Sequence, residues 1–188
     1  FSNISNNELF LSFTSIEKGT LVQRGVALFT LIKILIQQYN IPLSMGIEQN
    51  ISIIYFGLLF FIFLPTAYTV LFVENELWKN VAMLTICMLI LPTISADYKL
   101  LHLYLPLFLY INTKQKSKLD ITYCVLFAFL FIPKNYFFLS RVISDSGINT
   151  DICLAVPLNI LVLLILLLVL QISSMISRKK TSLKLNLL

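Results

Sequence analysis

Long apolar runs, not an alternation of apolar and polar positions, set the pattern of this chain. Five stretches are hydrophobic with little interruption: 51–73, 80–95, 100–111, 121–133 and 152–172. Short polar segments separate them. A helix that is apolar all round has no face for water and belongs inside protein or lipid. The stretch 51–73 holds no charge over about 23 residues, enough for a hydrocarbon core about 30 Å thick. Pro65 predicts a kink within it. The stretch 152–172 is a second full span, and the three between are shorter.

The N-terminal part follows another rule. Ser5 to Glu8, Thr14 to Glu17 and Thr20 to Gln23 each fit the S/T-x-x-E/Q pattern of a helix start. After the third, Leu21, Gly25, Leu28, Ile32, Leu35 and Ile36 fall on one helical face. Arg24, Thr30 and Lys33 interrupt the run, so it reads as an amphipathic helix lying in the interface plane or packed on a bundle. Asn40-Ile41-Pro42 ends it. The expected fold class is therefore all-α: a polytopic transmembrane helix bundle with broken and short helices, plus an N-terminal amphipathic helix. In this reading 1–188 is one transmembrane domain. Residues 1–42 form an outer-side amphipathic region, 51–172 about five transmembrane segments, and 173–188 a basic cytoplasmic tail.

Composition supports the membrane reading. Of 188 residues, 58% are hydrophobic and only 12% charged, with a mean hydropathy of +0.88. Soluble domains hold about 45–50% apolar and about 25% charged residues. The net charge of +5 then reports orientation and not a nucleic-acid partner. Basic residues concentrate at Lys114, Lys116 and Lys118 and again from Arg178 to Lys184. Two spans separate these clusters, which puts both on the cytoplasmic side. The 95–99 break, the 134–151 loop and the N-terminal region then face outward. Five of six prolines lie in or beside apolar runs, and broken helices in a bilayer suit a protein-lined cavity. Cys87, Cys124 and Cys153 have no metal-ligand spacing and read as buried small hydrophobes. The chain opens on Phe1 without a signal-peptide pattern and is read as the C-terminal portion of a longer protein.

The candidate chemistry lies at the break. Ser95 or Thr93 is placed to cap a helix starting near 96, with Asp97 in its first turn, where the helix dipole favours an acid. Helical spacing puts Tyr98 and His102 on one face and turns Lys99 away from Asp97. Ionisable groups at such depth are functional suspects. The plainer alternatives are a cap for Asp97, snorkelling for Lys99 and a bond to a neighbouring helix for His102. Lys134 and Arg141 flank an aromatic patch, as interface anchors do. Glu74 and Glu76, beside Trp78, read as headgroup-level residues. Asn3-Ile4-Ser5 and Asn50-Ile51-Ser52 fit the glycosylation sequon. No phosphate-binding Gly-rich loop, H-E-x-x-H, calcium loop or G-x-S-x-G is present.

The run SADYKLLHLYLPLFLYINTK resembles the late transmembrane signature of the polyprenol-phosphate-sugar-dependent glycosyltransferases of family 87. The later FIPKNYFFL, leading into a polar loop and a last span with Pro157-Leu158-Asn159, is similar to the segment after that signature in many bacterial members. The resemblance covers roughly residues 80–170. It implies a GT-C membrane enzyme of the plasma membrane that takes a sugar, mannose among the candidates, from a polyprenyl-phosphate donor on the outer face. It implies an acidic general base on the acceptor and a cationic partner for the leaving phosphate. The family's usual catalytic aspartate, in an early outer loop, has no counterpart here, so the catalytic residue stays open. The expected substrate-binding residues are Asp97, Tyr98, Lys99, His102 and Arg141. The expected partners are the lipid-linked sugar donor and membrane lipids. No cofactor is assigned, and a divalent metal is left open. Two other classes stand beside this one: a transporter or flippase segment and a noncatalytic membrane subunit.

Overall fold

The computed structural model describes residues 26–38, 45–92, 95, 97–113, 118–133, 138–143 and 149–185. Six α-helices carry most of it: α1 (Leu28–Gln38), α2 (Met45–Tyr68), α3 (Leu77–Ile90), α4 (Tyr104–Ile111), α5 (Asp120–Phe131) and α6 (Ala155–Leu185). A π-helical turn, Thr69–Val73, continues α2, and a 3-10 helix, Asp97–Leu103, leads into α4. Two strands, β1 (Phe138–Ile143) and β2 (Asn149–Cys153), pair as an antiparallel hairpin with an irregularity between Phe138 and Ser140. The helices match the helical part of the expected class. The hairpin stands where the sequence suggested an aromatic extension and a polar loop over 141–151. Its strands pair across a short connection, and the stretch lacked the alternating pattern that would mark them.

The irregular end of α2 has local causes. Pro65 lies inside the helix and has no N–H to donate. The Thr66 and Thr69 hydroxyls donate to the carbonyls of Ile62 and Pro65, one turn back, at 2.8 Å each. The Glu74 N–H then reaches the Thr69 carbonyl at 2.9 Å, closing a wide i→i+5 turn. That extra residue swings Glu74 inward.

Side-chain contacts show which helix ends lie together. The Tyr55 hydroxyl, early in α2, donates to the Leu91 carbonyl just past α3, at 2.7 Å. Trp78, at the start of α3, packs on Tyr110 near the end of α4 with ring centroids 4.7 Å apart. Tyr104 stacks on Phe131 at 4.3 Å, joining the start of α4 to the end of α5. The Tyr123 hydroxyl, early in α5, donates to Ser173 Oγ, late in α6, at 2.8 Å. Each of these helices thus runs antiparallel to the one before it. Two ends result. The hinge end holds Tyr55, Leu91, the 3-10 helix, Phe131 and Ala155. The turn end holds Glu74, Trp78, Tyr110, Asp120 and Ser174.

The core sits between α3, α5 and α6. Met83, Ile86 and Ile90 of α3 pack with Tyr123 and Phe127 of α5 and with Leu163, Leu166 and Leu170 of α6. A second cluster joins Leu28, Phe29 and Ile34 of α1 to Tyr55 and to Val156 and Ile160 of α6. The N-terminal helix therefore packs on the bundle, the second of its two expected placements, and the Val26 N–H fixes its start by donating to the Ser95 carbonyl at 2.7 Å.

Helix α2 is inverted relative to a helix in a water-soluble protein. Its buried side chains are Tyr55, Thr66 and, in the π-turn, Thr69, while Phe56, Phe60, Phe61, Leu71 and Phe72 are exposed. Such an apolar surface would be a liability in water. Two helices, Ile53–Val73 and Ala155–Arg178, are long and apolar enough to cross a membrane, by length and composition.

Several boundaries differ from the expected ones. The run 80–95 becomes a helix that starts earlier, at Leu77, and stops at Ile90. The last helix starts at Ala155 and continues unbroken to Leu185, through most of the basic segment. Cys87 is buried as expected, whereas Cys124 is exposed. The three capping boxes, Arg24, Thr93, Lys114, Lys116, Lys134 and Tyr136 lie outside the described residues, as do the side chains of Cys153 and residues 179–185.

Candidate functional site

Polar side chains gather at both ends, in opposite states. At the hinge end the chain leaves α3 at Leu91 and re-enters helix at Asp97, with 3-10 and not α geometry. This changes the expected arrangement. A 3-10 helix has 3.0 residues per turn, so positions four apart no longer share a face, and the pairing of Tyr98 with His102 is corrected accordingly. Both residues are exposed. The His102 Nδ1 lies 2.8 Å from the Lys99 carbonyl, a bond within its own helix and not to a neighbouring one. Lys99 is partly exposed. Ser95 does not act as a cap: its side chain is buried, and its Oγ has no hydrogen-bond partner among the described residues. Asp97 opens the 3-10 helix, but its side chain lies outside the described residues. Arg141 stands in β1 at the register position opposite Asp151, and its side chain is likewise outside them.

Beside this hinge a cleft of about 380 Å³ opens between the 3-10 helix, α4, the end of α5 and the start of α6. Leu101, Tyr104, Phe131 and Ile132 give it apolar walls, and Tyr98 and Asn159 give it polar groups. Leu101, Tyr104 and Ile132 are exposed, so the cleft is open to the surface of the bundle. Of the five expected substrate-binding residues, Tyr98 lines it. Lys99 and His102 are not among its lining residues. Leu101, Tyr104 and Asn159 were missed in sequence because they look like ordinary core positions. Only the packing of three helices makes them a wall.

At the turn end one pair of charges is buried and bound. The Glu74 side chain is 6% exposed and the Lys79 side chain 7%, with Lys79 Nζ 3.2 Å from Glu74 Oε2. Lys79 also lies 3.2 Å from Glu76 Oε1. The remaining lone pairs are used as well. Glu74 Oε1 accepts the N–H groups of Asn75 and Glu76 at 2.9 Å each, and Oε2 accepts the Ser174 hydroxyl of α6. Trp78 Nε1 donates to Glu76 Oε2 at 2.8 Å. Burial would raise the Glu74 carboxyl, but the Ser174 hydroxyl, the Glu76 N–H and the Lys79 ammonium together hold it below its ordinary 4.5. Glu74, read in sequence as a headgroup-level residue, has its side chain turned into the end of the bundle. Trp78 is buried too, between Tyr110 and Tyr123.

This second cluster is a clamp. It ties the α2–α3 turn to α6, where Gln171 Nε2 also donates to Thr66 Oγ1 at 2.8 Å. Each of its three charged side chains faces an opposite charge, which leaves little for a ligand to bind. No group of three or more His, Cys, Asp or Glu side chains that could hold a metal occurs among the described residues. The hinge-end cleft, with the exposed Tyr98 on its wall, is the candidate functional site. No family model, curated protein or solved structure matches the chain.

Proposed function

We propose that the chain is a multi-pass integral membrane protein whose hinge-end cleft receives the hydrocarbon part of a lipid-linked substrate. The observation that carries this reading is the cleft itself. It has Leu101, Tyr104, Phe131 and Ile132 along its wall, is open to the surface of the bundle and lies beside Tyr98 and the charged break. The inverted surface of α2 supports the membrane setting, since hydroxyls turned inward and phenylalanines outward suit hydrocarbon and not water. In this reading α2, α3, the 3-10 helix with α4, α5 and α6 make five passes. The base-rich turn end is cytoplasmic and the hinge end is outside. The resemblance to family 87 supplies the chemistry. The protein acts in transfer of a sugar, such as mannose, from polyprenyl phosphate, the prenyl chain lying along Leu101 and Tyr104 and the phosphosugar meeting Tyr98, Lys99 and Asp97.

Sugar transfer from a polyprenyl-phosphate donor, measured in membranes containing the protein, tests the chemistry. Leu101→Trp narrows the cleft from its exposed rim and is expected to reduce transfer severalfold with thermal stability unchanged. Equal transfer by the variant and the parent would remove the cleft from the mechanism. Absence of donor-dependent transfer in both would favour a noncatalytic membrane subunit. Cysteine labelling in a cysteine-free background tests the placement. A cysteine at Tyr98 should react from outside and one at Arg178 from the cytoplasm, and labelling of both from one side would overturn it.

A further inference from the structure

The described charges are distributed unequally between the two ends. At the hinge end Lys33, Lys99 and Arg141 balance Glu48, Asp97 and Asp151. At the turn end six bases (Lys79, Lys118, Arg178, Lys179, Lys180 and Lys184) face three acids, Glu74, Glu76 and Asp120. The whole positive excess of the described chain therefore lies at one end. The ion pairs sharpen the asymmetry. Glu74 and Glu76 are engaged by Lys79 inside the bundle, so they do little to neutralise the other five bases. Lys118 and Arg178 are exposed. Helix α6 does not stop where its apolar span stops at Arg178 but continues to Leu185, carrying Lys179, Lys180 and Lys184 on a helical backbone. Lys180 and Lys184 are one helical turn apart and share a face.

From this we infer that the turn end is a docking surface for anionic phospholipid headgroups, formed by Lys118, Arg178, Lys179, Lys180 and Lys184. The inference rests on the membrane reading above and adds a lipid class to it. Basic residues at a membrane surface each contribute about 1 kcal/mol of attraction to anionic lipid, and salt screens it within about a Debye length. A helix holding four of the five bases loses less conformational freedom on binding than a loose tail would. Lys33 and Lys99, at the balanced end, are expected to hold no such lipid.

The test uses the full chain reconstituted into vesicles of phosphatidylcholine mixed with phosphatidylglycerol. After gentle detergent extraction, the lipids that stay with the protein are quantified. Phosphatidylglycerol should be severalfold enriched over its share of the vesicle, and the enrichment should fall away in high salt. The combined variant Arg178→Gln, Lys179→Gln, Lys180→Gln, Lys184→Gln should lose most of it, while Lys33→Gln with Lys99→Gln keeps it. Retained lipid in the vesicle's own proportions, or equal enrichment in the four-glutamine variant, overturns the inference while leaving the membrane reading standing. Release of the chain from the vesicles by alkaline carbonate would instead overturn the membrane reading, and this inference with it.

Discussion

The two ends of the bundle hold similar residue types and use them in opposite ways. At the turn end a lysine and two glutamates meet within 3.2 Å, and Glu74 and Lys79 are almost fully buried. At the hinge end Tyr98 and His102 are exposed and Lys99 partly so, next to an open cleft. Buried charges that satisfy one another fix the geometry of the helices that carry them. Exposed polar groups beside a cavity leave their bonding capacity for something that arrives. The contrast shows that an ionisable residue between apolar runs is not in itself a sign of chemistry. What matters is whether neighbouring helices have already supplied its partner.

The sharpest way to break this comparison is at Glu74. Glu74→Leu leaves Lys79 buried with Glu76 as its one acidic partner and leaves the Ser174 hydroxyl with the Leu170 carbonyl as its acceptor, at 2.9 Å. A loss of about 1.5–3 kcal/mol is expected, the scale of losing hydrogen bonds to a charged group while Lys79 keeps Glu76. It should appear as a large drop in thermal midpoint in detergent, and adding Lys79→Met should recover part of it. A midpoint unchanged by Glu74→Leu would show that the clamp is not structural.

Acid probes the same carboxyl more gently. Its folded-state value lies below the ordinary 4.5. Ionised Glu74 therefore contributes stability that is fully present above the ordinary value and is lost as pH falls through the lower, folded one. The thermal midpoint of the parent should decline across that acid window, and Glu74→Gln should show a flatter profile there. Parallel profiles would refute the assignment.

Tyr55→Phe is expected to have a smaller effect. It removes the hydroxyl that donates to the Leu91 carbonyl and pins the hinge to α2. About 1 kcal/mol should be lost, with faster hydrogen exchange just after α3. Smallest of all should be His102→Ala, since the ring is exposed and bonds within its own helix. A change within about 0.5 kcal/mol is expected, against the large loss at Glu74. If the order of these two variants were reversed, the division between a structural end and an open end would fail.

The helices were legible in the sequence to the extent that apolar runs need no partner to be seen. The segment 51–73 and the last span announce themselves by composition, and Pro65 marks the irregularity near the end of α2. The hairpin was not legible, because the aromatic run before Arg141 and the polar stretch before Asp151 lack the alternation of a strand pair. Nor was the π-turn, which decides that Glu74 points inward when the sequence suggested a headgroup-level acid. At the hinge, Tyr98 was identified from its place beside a break. The change from α to 3-10 geometry, which separates Tyr98 from His102, runs over Asp97–Leu103 and has no marker in the spacing of those residues. The cleft walls could not be read at all, since Leu101 and Tyr104 become a site only when Phe131 and Asn159 are brought across from other helices.

The unequal lengths of the helices have a consequence for the bilayer around them. Helix α3, with 14 residues, is about 21 Å long and α5, with 12 residues, about 18 Å, against about 30 Å of hydrocarbon. Helix α6, with 31 residues, overshoots that thickness at about 46 Å. On the five-pass reading proposed above, lipid against the short helices would thin or tilt to meet them, at a cost of fractions of a kcal/mol per ångström of mismatch. A protein so placed would sit in a dimple of its own making and partition toward the thinner membranes of a cell.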